Sequence, residues 1–125
     1  MFVMPEVPFP HIFTAFGSYT VGEAGGALYQ VLYQKKQNDR ENWNMIDSSF
    51  ITTLPDTWAI NKRFVMIAVN RWNDTYERVL LGGLTCDGDD YYNSEQHMNA
   101  VYLPKYNKEK PLYIGFFNTG AYQET

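Results

Sequence analysis

The chain has little of the residue types that build metal centres and disulfide frameworks. Its 125 residues include one cysteine, Cys86, and two histidines, His11 and His97. A single cysteine excludes an internal disulfide and favours a reducing, cytoplasmic location. Since no second histidine or cysteine stands at ligand spacing from His97, we expect that residue on the surface and predict no protein metal site.

Long apolar runs and basic clusters are missing as well. No stretch has the ~20 apolar residues that a membrane-spanning helix needs. The N-terminus carries Pro5, Pro8 and Pro10 and lacks the basic start of a signal peptide. The net charge is -4, and the longest run among the ten lysines and arginines is Lys35-Lys36. Neither a membrane nor a nucleic-acid partner is therefore expected.

Aromatic residues, by contrast, are abundant. They make up 17% of the chain, with ten tyrosines and eight phenylalanines, and this composition favours strands. The apolar run RFVMIAVNRW at 63–72, bounded by charge, is typical of a strand buried on both faces. Because the strands follow one another without a helix between each pair, a mainly β fold is predicted, an antiparallel barrel or sandwich. The predicted strands are 11–16, 27–34, 43–52, 63–72, 76–85, 99–103 and 112–117, with a short helical turn at 55–60 that starts on a proline.

The string GGLTCDGDD at 82–90 carries the most distinctive chemistry. It places the thiol of Cys86 beside the carboxylate of Asp87, behind two glycines that allow a tight turn. Two interpretations are open at this point. Either the turn presents the thiol to a ligand, or it ends a strand and buries one small, inert cysteine.

This string, followed by PLYIGFFNTGAYQE at 111–124, resembles the C-terminal domain of the pyridoxal-phosphate-dependent decarboxylases of basic amino acids. These group IV enzymes of the alanine-racemase fold, among them ornithine and diaminopimelate decarboxylases, share a TCDG-type turn and a later GAY. The string LPDTWAI at 54–60 is most similar to the biosynthetic arginine decarboxylases. The resemblance implies that residues 1–25 are the end of a (β/α)8 barrel and a linker. Residues 26–125 would then be the C-terminal β-domain, and both chain ends are expected to be cut.

The resemblance also implies roles in substrate chemistry for three residues. Cys86 would return a proton to Cα after decarboxylation, which suits a thiol because its intrinsic pKa is about 8.5. Asp87 would bind the distal cation of the substrate, and a carboxylate accepts a guanidinium well. Asp47 would assist at the same end of the substrate, or it would simply lie on a solvated strand face.

For the cofactor, the resemblance implies that Tyr122, Gly17 and Ser18 contact the phosphate of pyridoxal phosphate. The family carries Glu-Pro-Gly-Arg where this chain has Ala15, Phe16, Gly17 and Ser18, so the carboxylate that faces the pyridine nitrogen is absent. Glu23 is a weak substitute, eight residues further along. The family also implies Mg²⁺ as an optional second cofactor.

The function implied is arginine decarboxylation to agmatine and CO2 in polyamine and spermidine biosynthesis, by a homodimer or higher homo-oligomer. The lysine that bonds to the cofactor lies in the family's N-terminal barrel, which this chain lacks, so the isolated chain is expected to be inactive. Two alternatives remain at this stage. One is a free-standing, non-enzymatic β-barrel that binds a partner, and the other is a cysteine hydrolase that pairs Cys86 with His11 or His97.

Overall fold

The structure is a computed structural model that describes residues 8–92 and 100–123. Short helices accompany the strands in this part of the chain, and none of them is long and apolar enough to cross a membrane. The strands are β1 (Gly26–Lys36), β2 (Asn42–Ile46), β3 (Val65–Ala68), β4 (Tyr76–Gly82), β5 (Val101–Pro104) and β6 (Tyr113–Phe117). The helices are α1 (Gly17–Val21), followed by a 3-10 turn at Gly22–Ala24, then α2 (Phe50–Thr53) and α3 (Pro55–Ile60).

The six strands form one sheet in the order β3-β6-β1-β2-β4-β5, nearly closed into a barrel. Four neighbouring pairs are antiparallel and one pair, β2 with β4, is parallel. The parallel pair is possible because a long crossover containing α2, α3 and β3 separates these two strands in the chain. The prediction of a mainly antiparallel β-domain is therefore confirmed.

The long strand β1 shows why the alternating segment at 27–34 was a good predictor. Tyr29 and Val31 point into the core and are buried, whereas Leu28 and Leu32 lie on the other face and are exposed. This is the period of two that strand geometry imposes. Gly26 to Gln30 pair with β6, and the later part of the strand pairs with β2 after a bulge between Val31 and Tyr33.

The prediction for residues 63–72 was wrong about burial. Only Val65–Ala68 is a strand, and it lies at the edge of the sheet, paired with β6 alone. Val65 and Ile67 are 51% and 46% exposed because one face of this edge strand is not covered by any described part of the chain. A run of apolar residues therefore indicated a strand here but not its position in the sheet.

Two other predicted strands also need correction. Residues 11–16 form no strand in the structure. The strand predicted at 43–52 stops at Ile46, because Ser49 begins α2 by accepting a hydrogen bond from the Thr52 amide at 3.3 Å. The helical turn predicted at 55–60 is confirmed as α3, with Pro55 at its first position.

Four aromatic rings form the centre of the core. Tyr29, Phe50, Tyr92 and Phe116 contact one another with ring centroids 4.9–5.9 Å apart. Phe50 is the first residue of α2, so this cluster holds the start of the helix against the sheet. The position of α2 matters for the candidate site, because the turn after β4 is attached to it.

Candidate functional site

The loop that follows β4, residues 83–90, is called the Cys86 turn below. The turn is held in place by the carboxylate of Asp90, a residue that is only 5% exposed. One oxygen, Oδ1, accepts from the Phe50 amide at 2.7 Å and from the Ile51 amide at 3.4 Å. The other, Oδ2, accepts from the Thr85 amide at 3.0 Å and from the Thr85 hydroxyl at 2.7 Å. The carboxylate therefore ties both the turn and the start of α2 together.

These hydrogen bonds also set the charge of Asp90. Burial raises the pKa of its carboxyl group, but hydrogen bonds from the Thr85 side chain, the Thr85 amide and the Phe50 and Ile51 amides outweigh this effect. The net result is a pKa below the ordinary 3.8. Asp90 is therefore ionised at neutral pH and accepts all of these hydrogen bonds without needing a cation.

The lowered pKa of Asp90 predicts how stability depends on pH. A carboxylate whose pKa is depressed by folding stabilises the protein above its unfolded-state pKa, and this contribution is lost as pH falls through the folded-state value. We expect the urea midpoint of the chain to decrease below about pH 4, and to decrease less steeply in Asp90→Asn. Equal slopes for the two proteins in a pH series of urea titrations would contradict this assignment.

The backbone of the turn is also closely packed. The Gly83 amide donates to the Asp90 carbonyl at 2.8 Å, and the Leu84 amide donates to the Ser48 carbonyl at 3.0 Å. A Cβ atom at Gly83 would lie 2.3 Å from both carboxylate oxygens of Asp90. The second glycine of the GGLTCDGDD string is therefore required by the close approach of this carboxylate.

Cys86 lies in the exposed part of the turn, as a free thiol. The interpretation of a buried, inert cysteine is therefore wrong. Next to it, the Oδ1 atom of Asp87 accepts the Asp89 amide at 2.9 Å, which leaves the Oδ2 atom available to a ligand. Among the described residues no histidine hydrogen-bonds to Cys86, and His97 lies outside them, so nothing here supports a cysteine hydrolase.

A groove with a volume of about 580 Å³ runs beside the turn, over the parallel pair β2 and β4. Trp43 and Tyr91 meet edge to face along it, with ring centroids 6.3 Å apart. Asp87 lines the groove, and Cys86 lies next to it on the exposed part of the turn. The groove is lined by Lys35, Gln37, Trp43, Met45, Gly82, Gly83, Thr85, Asp87, Gly88, Asp90 and Tyr91.

The second candidate region joins the two ends of the chain and is called the Tyr122 corner. The amide of Gly17 donates to the phenol oxygen of Tyr122 at 3.1 Å, across 105 residues of sequence. The phenol keeps its own hydrogen for another acceptor. Ser18 follows Gly17 in α1 and is exposed. The structure thus brings together the three residues predicted to contact a phosphate, although they come from opposite ends of the chain.

Close backbone packing holds this corner. The Gly120 amide donates to the Gly22 carbonyl at 3.1 Å, and the Thr119 amide donates to the Gly25 carbonyl at 3.2 Å. A Cβ atom at Gly120 would come within 1.7 Å of the Val21 carbonyl oxygen. The glycine of the GAY string is required because the backbone after α1 passes directly over it.

Replacing Gly120 with alanine is expected to push α1 away from the segment that follows β6 and so to open the Tyr122 corner. The overlapping atom belongs to the backbone and cannot rotate away, so we expect the free energy of unfolding to fall by roughly 1–3 kcal/mol. The measurement is urea denaturation of the chain. Gly88→Ala is the matched control, because a Cβ at Gly88 would meet nothing within 4 Å. Equal midpoints for the two variants would show that the corner is not packed in this way.

Asp47 lies outside both regions and is exposed. Its Oδ1 atom accepts the Gln30 amide at 3.0 Å, while its own amide donates to the Gln30 carbonyl at 3.0 Å. Asp47 therefore closes the end of the β1–β2 pairing. It stands one residue before Ser48, whose carbonyl accepts from the Cys86 turn at Leu84.

The helical segment α2–α3 connects the two regions. Asp90 fixes the start of α2, and at α3 the Asp56 carboxylate accepts from the side chain of Gln123 at 2.8 Å. The side-chain Oε1 atom of Gln123 in turn accepts the Asp56 backbone amide at 3.3 Å, and Gln123 is only 3% exposed. Lys62 adds a hydrogen bond from its Nζ atom to the Ala121 carbonyl at 3.3 Å. Sequence reasoning missed Asp56 and Gln123, which are distant from each other in sequence, and it missed Asp90, whose burial the sequence does not show.

The chain is also similar to known proteins, both in sequence and in fold. No protein-family model matches the chain. Over 84 residues it is 34% identical to the biosynthetic arginine decarboxylase of Marinobacter nauticus, a match that covers 63% of this chain and 13% of that protein. In this region the chain is similar to the biosynthetic arginine decarboxylases. The enzyme of that name from Xanthomonas axonopodis pv. citri is 31% identical over 96 residues, which cover 69% of this chain and 15% of that protein.

Solved decarboxylase structures share the fold of this chain. The Vibrio vulnificus lysine/ornithine decarboxylase complexed with cadaverine superposes with a TM-score of 0.70 at 18% identity, covering 86% of this chain and 27% of that chain. The Paramecium bursaria Chlorella virus arginine decarboxylase bound to agmatine gives a TM-score of 0.70 at 19% identity, with 86% and 28% covered. The predicted decarboxylase-type β-domain is confirmed, and the chain spans about a seventh of the length of its curated relatives.

Proposed function

We propose that this chain supplies the C-terminal β-domain of a cytoplasmic, pyridoxal-phosphate-dependent decarboxylase that converts arginine to agmatine and CO2 in polyamine and spermidine biosynthesis. The observation that carries the proposal is the exposed Cys86-Asp87 pair on a turn that a buried carboxylate holds in place. The names of the curated relatives favour arginine as the substrate. The rest of the enzyme, including an N-terminal (β/α)8 barrel, would complete the active site.

The Tyr122 corner fits the phosphate end of pyridoxal phosphate. Tyr122 has a phenol hydrogen to donate, and the exposed hydroxyl of Ser18 lies beside Gly17, which orients the phenol. When bound, pyridoxal phosphate supplies the electron sink for loss of the carboxyl group. Ala15 offers nothing to the ring nitrogen, so residues outside this chain must hold that end and provide the bonded lysine. No group of three or more acidic, cysteine or histidine side chains among the described residues could hold a metal, so Mg²⁺ gains no support.

The Cys86 turn would do the chemistry at the substrate. Cys86 would deliver a proton to Cα after CO2 has left, and its exposure allows the thiol to reach a substrate bound elsewhere. Asp87 would hold the distal guanidinium through the oxygen that the turn leaves free, and Asp47 would add negative charge nearby.

The turn and the Tyr122 corner are built on different parts of the fold. The turn follows β4 and the corner follows β6, with β1 and β2 between those strands in the sheet. As the resemblance to the decarboxylases implies, one domain would contact the cofactor of its own active site with Tyr122 and enter a neighbouring active site with Cys86. This division favours a homodimer or a higher homo-oligomer, with each site formed at an interface.

The test uses the native gene product, by which we mean the protein made from the gene at its natural length. Incubated with pyridoxal phosphate, it is expected to release CO2 from arginine faster than from ornithine, lysine or diaminopimelate. The isolated 125-residue chain is expected to release none and to lose the cofactor colour on gel filtration. No CO2 from any of the four substrates would refute a decarboxylase, and a partner-binding β-barrel would then be the better account.

A further inference from the structure

Asp90 differs from the other acidic residues of the Cys86 turn. Asp87 and Asp89 are exposed, whereas Asp90 is buried and both of its oxygens are occupied. All four of its hydrogen bonds come from uncharged donors: three backbone amides and one hydroxyl. A carboxylate held in this way is fixed in direction as well as in position.

A chain of hydrogen bonds leads from Asp90 to the functional part of the turn. A carboxylate can only accept, so the Thr85 hydroxyl must donate its hydrogen to Oδ2 of Asp90. The oxygen of that hydroxyl then presents its lone pairs to the Asp87 amide, which donates to it at 3.4 Å. Cys86 lies between Thr85 and Asp87, so both of its neighbours are oriented by this chain.

The other oxygen of Asp90 connects the same chain to the core. Its partners, the amides of Phe50 and Ile51, belong to the first turn of α2, and the Phe50 side chain is 1% exposed within the aromatic cluster. The turn is thus connected to the aromatic cluster at the centre of the core. An asparagine at position 90 would place an NH2 group either against the Thr85 donors or against the Phe50 and Ile51 amides, and it would break one half of this bridge in either orientation.

We propose that Asp90 is a positioning residue that acts through Thr85 to aim the Cys86 thiol and the Asp87 carboxylate at the substrate. This inference rests on the proposed function, since the orientation of these two groups matters for catalysis only if the turn binds a substrate. It predicts that Asp90 and Thr85 control where the proton is delivered.

The destination of the proton can be measured from the products. Protonation at Cα gives agmatine. A proton that does not reach Cα would give, with one water, 4-guanidinobutanal and pyridoxamine phosphate in place of agmatine, so the ratio of aldehyde to CO2 reports misdirected protons. In the native gene product we expect Asp90→Asn and Thr85→Val to raise this ratio about tenfold or more, because a displacement of ~1 Å is costly in a catalytic geometry.

Two controls separate positioning from folding. Thr85→Ser keeps the hydroxyl and is expected to restore the normal ratio, and Asp89→Asn removes the same charge from an exposed neighbour and is expected to leave it unchanged. Thr85 is exposed, so Thr85→Val provides a test even if Asp90→Asn fails to fold. An unchanged ratio in Thr85→Val, or an equal rise in Asp89→Asn, would overturn the proposal.

A second readout does not depend on decarboxylation. In the 125-residue chain, amide hydrogen exchange at Asp87 is expected to accelerate about tenfold or more in Thr85→Val and Asp90→Asn, and not in Asp89→Asn, because only the first two break the hydrogen-bond chain that ends at the Asp87 amide. If the native gene product releases no CO2, the proposed function fails, and this measurement still decides whether Asp90 fixes the turn. Unaltered exchange in both variants would refute the positioning role by itself.

Discussion

Replacing Cys86 with alanine is expected to lower agmatine formation by the native gene product on the order of 100-fold, within the usual range for loss of a general acid. The aldehyde product should rise as agmatine falls, because the proton must then reach a different carbon. Cofactor binding should be retained, since Cys86 lies outside the Tyr122 corner. The measurement is the yield of agmatine and aldehyde per CO2 released.

The control for this prediction is Cys86→Ser, which keeps a proton-bearing group of similar size. The side chain is exposed, so neither substitution should shift the free energy of unfolding by more than about 0.5 kcal/mol. If Cys86→Ala gives the same products at the same rate as the unmodified protein, Cys86 is not the proton donor and the main chemical argument for the function is lost.

Replacing Asp87 with asparagine is expected to lower kcat/KM for arginine on the order of 100-fold. A hydrogen bond to a charged group contributes about 1.5–3 kcal/mol, and a guanidinium left without its counter-charge costs more than the lost bond alone. The asparagine removes that charge while keeping the shape. An asparagine oxygen can still accept the Asp89 amide, so the turn itself should persist.

Asp89→Asn is the matched control for Asp87, because it removes the same charge from the same exposed turn two residues away. Its kcat/KM should stay within about threefold of the unmodified value, since exposed charges act weakly at a distance. Equal losses in the two variants would mean that the turn attracts the substrate through its overall charge and that Asp87 makes no specific contact.

The parts of the fold that sequence predicted are those controlled by local physics. Strand β1 follows an alternating pattern, and α3 begins at Pro55, whose ring favours the first position of a helix. The edge position of β3 was not predictable, because an apolar segment looks the same whether its second face is covered or open. Ile46 ends its strand because Ser49 caps a helix, a signal that the apolar pattern around it obscured.

Some features of the candidate site were predictable from the sequence, and others were not. The string around Cys86 left an exposed and a buried cysteine open, and the structure shows an exposed one. The resemblance implied only that Tyr122, Gly17 and Ser18 contact the same phosphate, and the direct contact between Gly17 and the Tyr122 phenol was not predicted. The importance of Asp90 was hidden, because three aspartates close together look alike until burial separates them. The Asp56–Gln123 pair was equally hidden, since its members are 67 residues apart. The roles of Cys86, Asp87, Asp47, Tyr122, Gly17 and Ser18, and the domain boundary near residue 25, stay predictions.

The mass of the polypeptide that carries this chain in its own cells tests the central claim most directly. An antibody raised against the 125 residues should detect a band several times heavier than 14.5 kDa, and the captured protein should form agmatine from arginine when pyridoxal phosphate is supplied. A band at 14.5 kDa, with no CO2 released from arginine by the captured protein, would contradict the claim that this chain works as one domain of a decarboxylase.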